Sequence, residues 1–318
     1  MLLSQRDALG KAIDQKPFSE HRKVASKAIE EGVMQLKFSK FHGLGNDFLF
    51  IDDRDKNYDF QRLAIDICDR NRGVGADGIL LFRGTPQRPE MIVINSDGSV
   101  PEMCGNGLRC FVKALVERHQ LPGDTIEVTT GAGRLSCRFG RDAFGHVERV
   151  SVNMGEPSLN PADVPLATST PLLNHPLEID DQTLEVTAVG VGNPHMVTFT
   201  NIDLQTRLRL GPRLSSHPLW PAQTNVEFCE VLPSVSEGTK AIACHVYERG
   251  CGWTQACGTG ATAAAFAAVQ MGLFGVGESV QVHLPGGQLQ ITIREDGSAL
   301  MMGPAQHVFD GLLTIEDV

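Results

Sequence analysis

Two segments of this chain carry the same device: a cysteine followed by Gly-x-Gly that runs into an apolar stretch. The first reads N-S-D-G-S-V-P-E-M-C-G-N-G-L-R-C, with Cys104 followed by Gly105, Asn106 and Gly107. The second reads E-R-G-C-G-W-T-Q-A-C-G-T-G-A, with Cys257 followed by Gly258, Thr259 and Gly260. Leu108, Phe111, Val112, Leu115 and Val116 recur at helical spacing after the first, so the motif places its cysteine at a helix start. Unpaired backbone N–H groups and the helix dipole favour a thiolate there and predict a lowered pKa. The glycines let the chain turn tightly and bring N–H groups close to a ligand carboxylate. Two thiols flanking one carbon can take a proton from one face and return one to the other. That is inversion without a cofactor, and it needs one S⁻ and one SH per turnover. An α-proton is weakly acidic, so the carboxylate charge that develops must be stabilised and water excluded.

Other readings of the two cysteines stay open at this point. They could be buried structural side chains, although the repeated motif argues against that. They could form a redox disulfide, as a function or as an inactivating side reaction. A cysteine hydrolase would need one cysteine and a histidine such as His195, and would leave the second cysteine unexplained.

The chain has 318 residues, enough for one large or two modest domains, and its 42% hydrophobic and 21% charged content is that of an ordinary soluble protein. A formal net charge of -10 argues against a nucleic-acid or anionic-membrane surface. There is no apolar run long enough for a membrane span and no secretory pattern. Eight cysteines do not make a disulfide scaffold in this length, and a reducing cytoplasm is the expected compartment. Cys68, Cys110, Cys137, Cys229 and Cys244 sit in apolar or alternating stretches and read as buried small side chains. No C-x-x-C, H-E-x-x-H or Walker A signature is present and no G-x-G-x-x-G follows a strand, and neither a metal nor a cofactor is expected.

The elements that would hold the motifs repeat along the chain. Residues 1–33 are polar and read as an extension outside the core, with a short helix over 19–31 and Met34 as a plausible start of the fold. Strands are expected over 36–41, 47–51, 79–82, 91–94, 126–130, 134–138 and 146–152, with helices over 60–69 and 107–118. A proline-rich stretch at 157–176 reads as a linker or large loop. The order then recurs: strands over 184–189, 196–200, 225–230 and 242–247, a helix over 261–271, and strands over 280–284, 289–293 and 299–302. Asn46 lies 58 residues before Cys104, and Asn193 lies 64 before Cys257. Met154-Gly155 and Met302-Gly303 follow the two cysteines at similar offsets. Three landmarks in one order support an internal duplication, with a small-molecule cleft between the halves.

Together the motifs resemble the diaminopimelate epimerase family of the proline-racemase-like superfamily. The resemblance spans roughly residues 34–318. It rests on F-S-K-F-H-G-L-G-N-D-F at 38–48, R-G-V-G-A-D-G at 72–78, N-S-D-G-S at 95–99 and M-C-G-N-G-L-R-C at 103–110. N-M-G-E-P at 153–157, G-N-P-H at 192–195, Y-E-R-G at 247–250, A-C-G-T-G-A at 256–261, L-P-G-G at 284–287 and the terminal M-G-P-A complete it. Asn106 stands where the proline and hydroxyproline branch typically has histidine, and the phenazine-biosynthesis branch lacks the cysteine pair.

The resemblance implies an α+β fold of two pseudo-symmetric domains, each a strongly curved, mostly antiparallel sheet around a central helix. The domains would be 34–155 and 156–300, with 301–318 packing back on the first. It implies interconversion of LL- and meso-2,6-diaminopimelate, a small-molecule diamino dicarboxylic acid, with no cofactor, nucleic acid or membrane partner; a homodimer is left open. Carried over by motif, Cys104 and Cys257 resemble the acid/base pair. Asn46, Asn95, Asn193 and Asn225 resemble substrate ligands, and the backbone of Gly105, Asn106, Gly258 and Thr259 resembles the donors to the reacting carboxylate. Glu248 and Arg249 resemble contacts to the substrate's amino and carboxylate groups, and His195 resembles a residue lining the site. Asp77 reads as a turn residue outside it. The family's usual G-x-G-E-T loop is here G-C-G-W-T, which puts Trp253 where a carboxylate is expected and adds Cys251; an indole cannot accept the hydrogen bonds a carboxylate would.

Overall fold

The repeated order of elements folds into two copies of one strand pattern. The computed structural model describes residues 33–52, 54, 58–233 and 240–316; the helix expected over 19–31 lies outside these. The first copy comprises β1 (Val33–Gly43), β2 (Asn46–Asp52), β3 (Gly78–Thr85), β4 (Arg88–Asn95), β5 (Thr125–Thr130), β6 (Gly133–Arg141) and β7 (Val147–Asn153). After β8 (His175–Ile179), the second comprises β9 (Gln182–Gly190), β10 (Pro194–Thr198), β11 (Asn225–Leu232) and β12 (Ala241–Glu248). Past the two-residue β13 (Gly252–Trp253), it continues with β14 (Ser279–Leu284), β15 (Gly287–Ile293) and β16 (Ala299–Pro304), and β17 (Gln306–Glu316) ends the described chain.

Pairing confirms the duplication strand by strand. In the first copy β1–β2 is antiparallel, β2–β3 parallel, β3–β4 antiparallel, β4–β5 parallel, and β5–β6 and β6–β7 antiparallel. In the second, β9–β10, β10–β11, β11–β12, β12–β14, β14–β15 and β15–β16 follow the same sequence of directions. β7 and β16, the last strand of each copy, pair antiparallel, with Val152 opposite Met301.

Each copy wraps one helix. α1 (Phe60–Cys68) and α3 (Leu204–Ser215) lie outside, whereas α2 (Gly105–His119) and α4 (Gly258–Gln270) are central. Every residue of α2 from Gly105 to Val116 is buried, and so is α4 from Gly258 to Val269 apart from Thr259. The run of alanines in α4 has no polar face, which suits a helix enclosed on all sides. One apolar core runs through both copies, from Phe50, Phe82 and Phe111 to Ile242, Ala264 and Ile291. A satellite core gathers Trp220, Leu210 and Leu214 against Val186 and Met196.

Ser39–Phe309 form one compact unit, and Met1–Phe38 with Asp310–Val318 form another. In the described part of the latter, a Cβ on Gly311 would lie 2.2 Å from the Phe38 ring, so only glycine fits. Among the described residues, no helix is long and apolar enough to cross a membrane.

Candidate active site

Both cysteines cap their helices. Cys104 is the N-cap of α2 and its Sγ accepts the Gly107 N–H at 3.4 Å; Cys257 is the N-cap of α4 and its Sγ accepts the Gly260 N–H at 3.3 Å. The glycine three residues on is thus the donor in both copies. The glycine immediately after each cysteine faces one side chain from β16. A Cβ on Gly105 would lie 3.1 Å from Met301 Cε, and one on Gly258 would lie 3.0 Å from Met301 Sδ. Met301 therefore lies between the two helix starts, and a side chain at either glycine would require its thioether to shift.

Asn106 ties the two motifs together. Its Nδ2 donates to Asn46 Oδ1 at 3.1 Å and to the carbonyl of Ala256, the residue before Cys257, at 3.1 Å. Asn46 Oδ1 also lies 3.9 Å from Cys104 Sγ. Asp77, read from the sequence as a turn residue, holds Asn46 from behind: its Oδ2 accepts from Asn46 Nδ2 at 2.7 Å and from the Asp47 N–H at 3.0 Å.

In the second copy, Asn193 Oδ1 accepts from His195 Nε2 at 2.8 Å, and His195 Nδ1 meets Glu227 Oε1 at 2.7 Å. His195 and Glu227 are fully buried, and Glu227 Oε2 has no hydrogen-bond partner. Asn225 Oδ1 accepts the Arg249 N–H at 2.9 Å, while the exposed Arg249 side chain donates to the Ala222 carbonyl. Glu248 Oε1 accepts from Thr254 Oγ1 at 2.5 Å. Thr259 Oγ1 lies 3.4 Å from Cys257 Sγ. Asn95, at the end of β4, donates to Ser99 Oγ at 2.9 Å.

The electrostatics differ from the expectation of lowered thiol pKa values. Burial pushes Cys104 up, beyond what the Gly107 and Asn106 N–H groups and Arg109 offset, and Glu248 adds to the rise. Burial pushes Cys257 well above the ordinary thiol value, with Glu248 and Glu227 adding to it. Helix N-termini do favour anions, but dehydrating a sulfur in this enclosed space costs more than two N–H groups return. Burial likewise raises Glu227, against the pull of His195, and raises Glu248, against its Thr254 bond.

Sequence reasoning missed Glu227, Asp77 and Arg109. The signals were there in part: Glu227 and Arg109 are charges set in apolar runs, V-E-F-C and L-R-C. All eight cysteines are free thiols, with Cys251 exposed in the loop before the second motif. Trp253 in that loop packs against Phe228 and Tyr247, at ring-centroid distances of 5.8 and 5.5 Å.

The family model for diaminopimelate epimerase matches residues 38–160 and 187–308. The diaminopimelate epimerase of Heliobacterium modesticaldum is 41% identical over 291 residues, covering 88% of this chain and all of the relative. That of Pelotomaculum thermopropionicum is 42% identical over 282 residues, covering 87% of this chain and 98% of the relative. A hydroxyproline epimerase from Agrobacterium vitis superposes with TM-score 0.63 at 14% identity, over 89% of this chain and 92% of that one. A phenazine biosynthesis protein of the PhzF family from Bacillus anthracis gives 0.64 at 14% identity, over 89% and 100%. At such identities, these two structures speak to the fold alone.

Proposed function

The chain belongs to the diaminopimelate epimerase family, and from that premise we propose that Cys104 and Cys257 are the acid and base that invert one carbon of 2,6-diaminopimelate. The protein is an isomerase of the amino-acid epimerase class that works by two bases without a cofactor. The observation that carries the site assignment is the duplicated N-cap. Two sulfurs sit at two helix starts, and Asn106 joins the start of α2 to the residue before Cys257.

In this reading the α-carboxylate lies against the first N–H groups of α2 and α4, from Gly105, Asn106, Gly258 and Thr259. Those donors and the two dipoles stabilise the charge that grows as the α-proton leaves. One thiolate removes the proton; the other thiol supplies one to the opposite face. The proton count is restored when the two sulfurs exchange a proton with water between turnovers. Asn46, Asn95, Asn193 and Asn225 hold the polar groups of the substrate. Glu248 takes the amino group, Arg249 a carboxylate, and His195 lines the site. Burial raises both thiols, so the thiolate needs compensation from nearby donors and cations. Homodimer formation and a cytoplasmic location belong to the same proposal, and light scattering on the eluting protein tests the first.

Proton NMR in D₂O on reduced protein with LL-2,6-diaminopimelate tests the activity. Loss of the α-proton signal with appearance of the meso isomer is expected. Cys104→Ala and Cys257→Ala should each lower the rate by ~100-fold or more, the range for removing a general acid or base. Folded, reduced protein that exchanges no α-proton on this substrate refutes the reading.

A further inference from the structure

The strand register lets the two copies be compared residue by residue around their sulfurs, and their charges do not match. In the first copy Phe48 lies opposite Gly78; in the second, His195 lies opposite Asn225. Two residues further along these strands stand Leu80 and Glu227. On the next strand Gly78 faces Asn95, and Val226 faces Tyr247, which brings Glu248 to the place of Asn95. A Cβ on Gly107 would meet Leu80 Cδ2 at 2.9 Å, and one on the matching Gly260 would meet Glu227 Oε1 at 2.7 Å. Behind Cys104 there is thus a methyl group where a carboxyl group stands behind Cys257.

The helices differ in the opposite sense. Five residues past each cysteine stand Arg109 and Thr262, and both donate to the carbonyl one turn back. Arg109 Nη1 reaches Gly105 O at 3.3 Å, and Thr262 Oγ1 reaches Gly258 O at 2.9 Å. Arg109 is wholly buried. Its remaining donors go to Asn106 Oδ1 at 2.9 Å, Pro304 O at 3.2 Å and Met301 Sδ at 3.7 Å. Every acceptor is neutral, and among the described residues no carboxylate makes an ion pair with it. The nearby Asp47 and Asp77 are answered instead by Arg70, at 2.7 Å from each, and by Lys40 at 2.8 Å from Asp47.

A guanidinium does not shed its proton in a protein, and a buried charge without a counter-charge is costly. Its position makes this worse, because a cation near a helix N-terminus opposes the helix dipole. Such an arrangement is favourable only when an anion occupies the helix start. We propose that Arg109 is a positioning residue of the reaction: its guanidinium is the fixed counter-charge that makes Cys104, rather than Cys257, the more readily ionised of the two thiols. Glu227 does the converse at Cys257, where a negative sulfur would face its carboxyl group, whereas Glu248 raises both thiols. The larger upward push on the Cys257 thiol runs in the same direction. The inference rests on the reading of the two cysteines as acid and base, and adds which of them ionises more readily.

The test is the pH dependence of alkylation of the reduced, full-length protein by iodoacetamide, with Cys104 and Cys257 followed separately by peptide mass spectrometry. The midpoint of each profile is read, rather than the rate, because it reports the thiolate and not access. Cys104 should have the lower midpoint. Arg109→Gln should raise it by a unit or more, slowing its labelling at neutral pH by ~10-fold, and leave Cys257 in place. Arg109→Lys should restore most of the shift. A Cys257 midpoint at or below that of Cys104 in the unmutated protein overturns the proposal, even where Arg109→Gln cannot be recovered folded. So does a folded Arg109→Gln variant with an unmoved Cys104 midpoint, or one in which both midpoints move together. The expected labelling order in a protein that exchanges no α-proton supports the counter-charge and counts against the epimerase activity instead.

Discussion

Glu227 is the residue whose chemistry is most at odds with its surroundings. It is fully buried on β11, shares one oxygen with His195, and leaves Oε2 without a partner. Burial raises its carboxyl above the ordinary value of 4.5, although His195 pulls the other way. A carboxyl raised on folding contributes stability that is fully present below its unfolded value and is lost as pH rises through the folded one. Glutamine keeps the shape and cannot ionise. Melting temperatures of the native protein and Glu227→Gln, compared from pH 4.5 to 8, should therefore move steadily in favour of the variant as pH rises. If instead the native protein gains on the variant with rising pH, the ion pair with His195 outweighs burial. The sequence marked His195 through its G-N-P-H motif but gave Glu227 no motif. Asp77 was dismissed because turn geometry explains an Asp between Ala and Gly, and its grip on Asn46 depends on β2 and β3 lying side by side. Arg109 falls at a position where a helix-forming residue is unremarked; only tertiary enclosure shows its charge to be unanswered.

The elements that carry the site were legible where periodicity was strong. α2 and α4 were expected at nearly their observed spans, and the strands of both copies fell within a few residues of their places. α3 was missed because Gly211 and Pro212 break its pattern; Asp203 nevertheless caps it by accepting from the Gln205 and Thr206 N–H groups. Gly211 has a tertiary reason to be there, since a Cβ would lie 2.7 Å from Trp253 Cζ2. The loop with Trp253 is thus held by aromatic packing between β11, β12 and α3, and Thr254 from the same loop supplies the bond to Glu248. A carboxylate at 253 would act through hydrogen bonds; here an indole positions the loop by contact. Trp253→Ala should cost about 1–3 kcal/mol, less than for a fully buried ring because the indole is 37% exposed. Its effect on turnover should be larger than the loss of stability suggests, through a loosened Glu248, with KM for the substrate rising as well. Equal kinetic constants at a lowered melting temperature would show that the indole only stabilises the fold.

At the scale of the molecule, the site exists because two copies of one pattern share a core and a strand pair. Met301 is where that sharing can be tested. It lies on β16 opposite Val152 of β7, is fully buried, and its thioether fills the space between Gly105 and Gly258. Its sulfur also receives a weak bond from Arg109. A methionine suits the place: an unbranched, polarizable chain can enter a gap between two helix starts that have no side chains of their own. Met301→Ala would open a cavity there and cost about 2–5 kcal/mol, the range for such truncations in a core. Because the core is continuous through both copies, that loss should lower one cooperative urea transition, with far-ultraviolet circular dichroism and tryptophan fluorescence moving together. Epimerisation should also slow beyond what the fraction unfolded explains, since the spacing of the two sulfurs is set across this side chain and misplacement by about 1 Å can cost ~100-fold. Met301→Leu, which keeps most of the volume, should recover both quantities. Separate transitions for the two probes would mean that the copies unfold independently, and full activity in Met301→Ala would mean that the sulfur spacing is fixed by Asn106 and Ala256 alone.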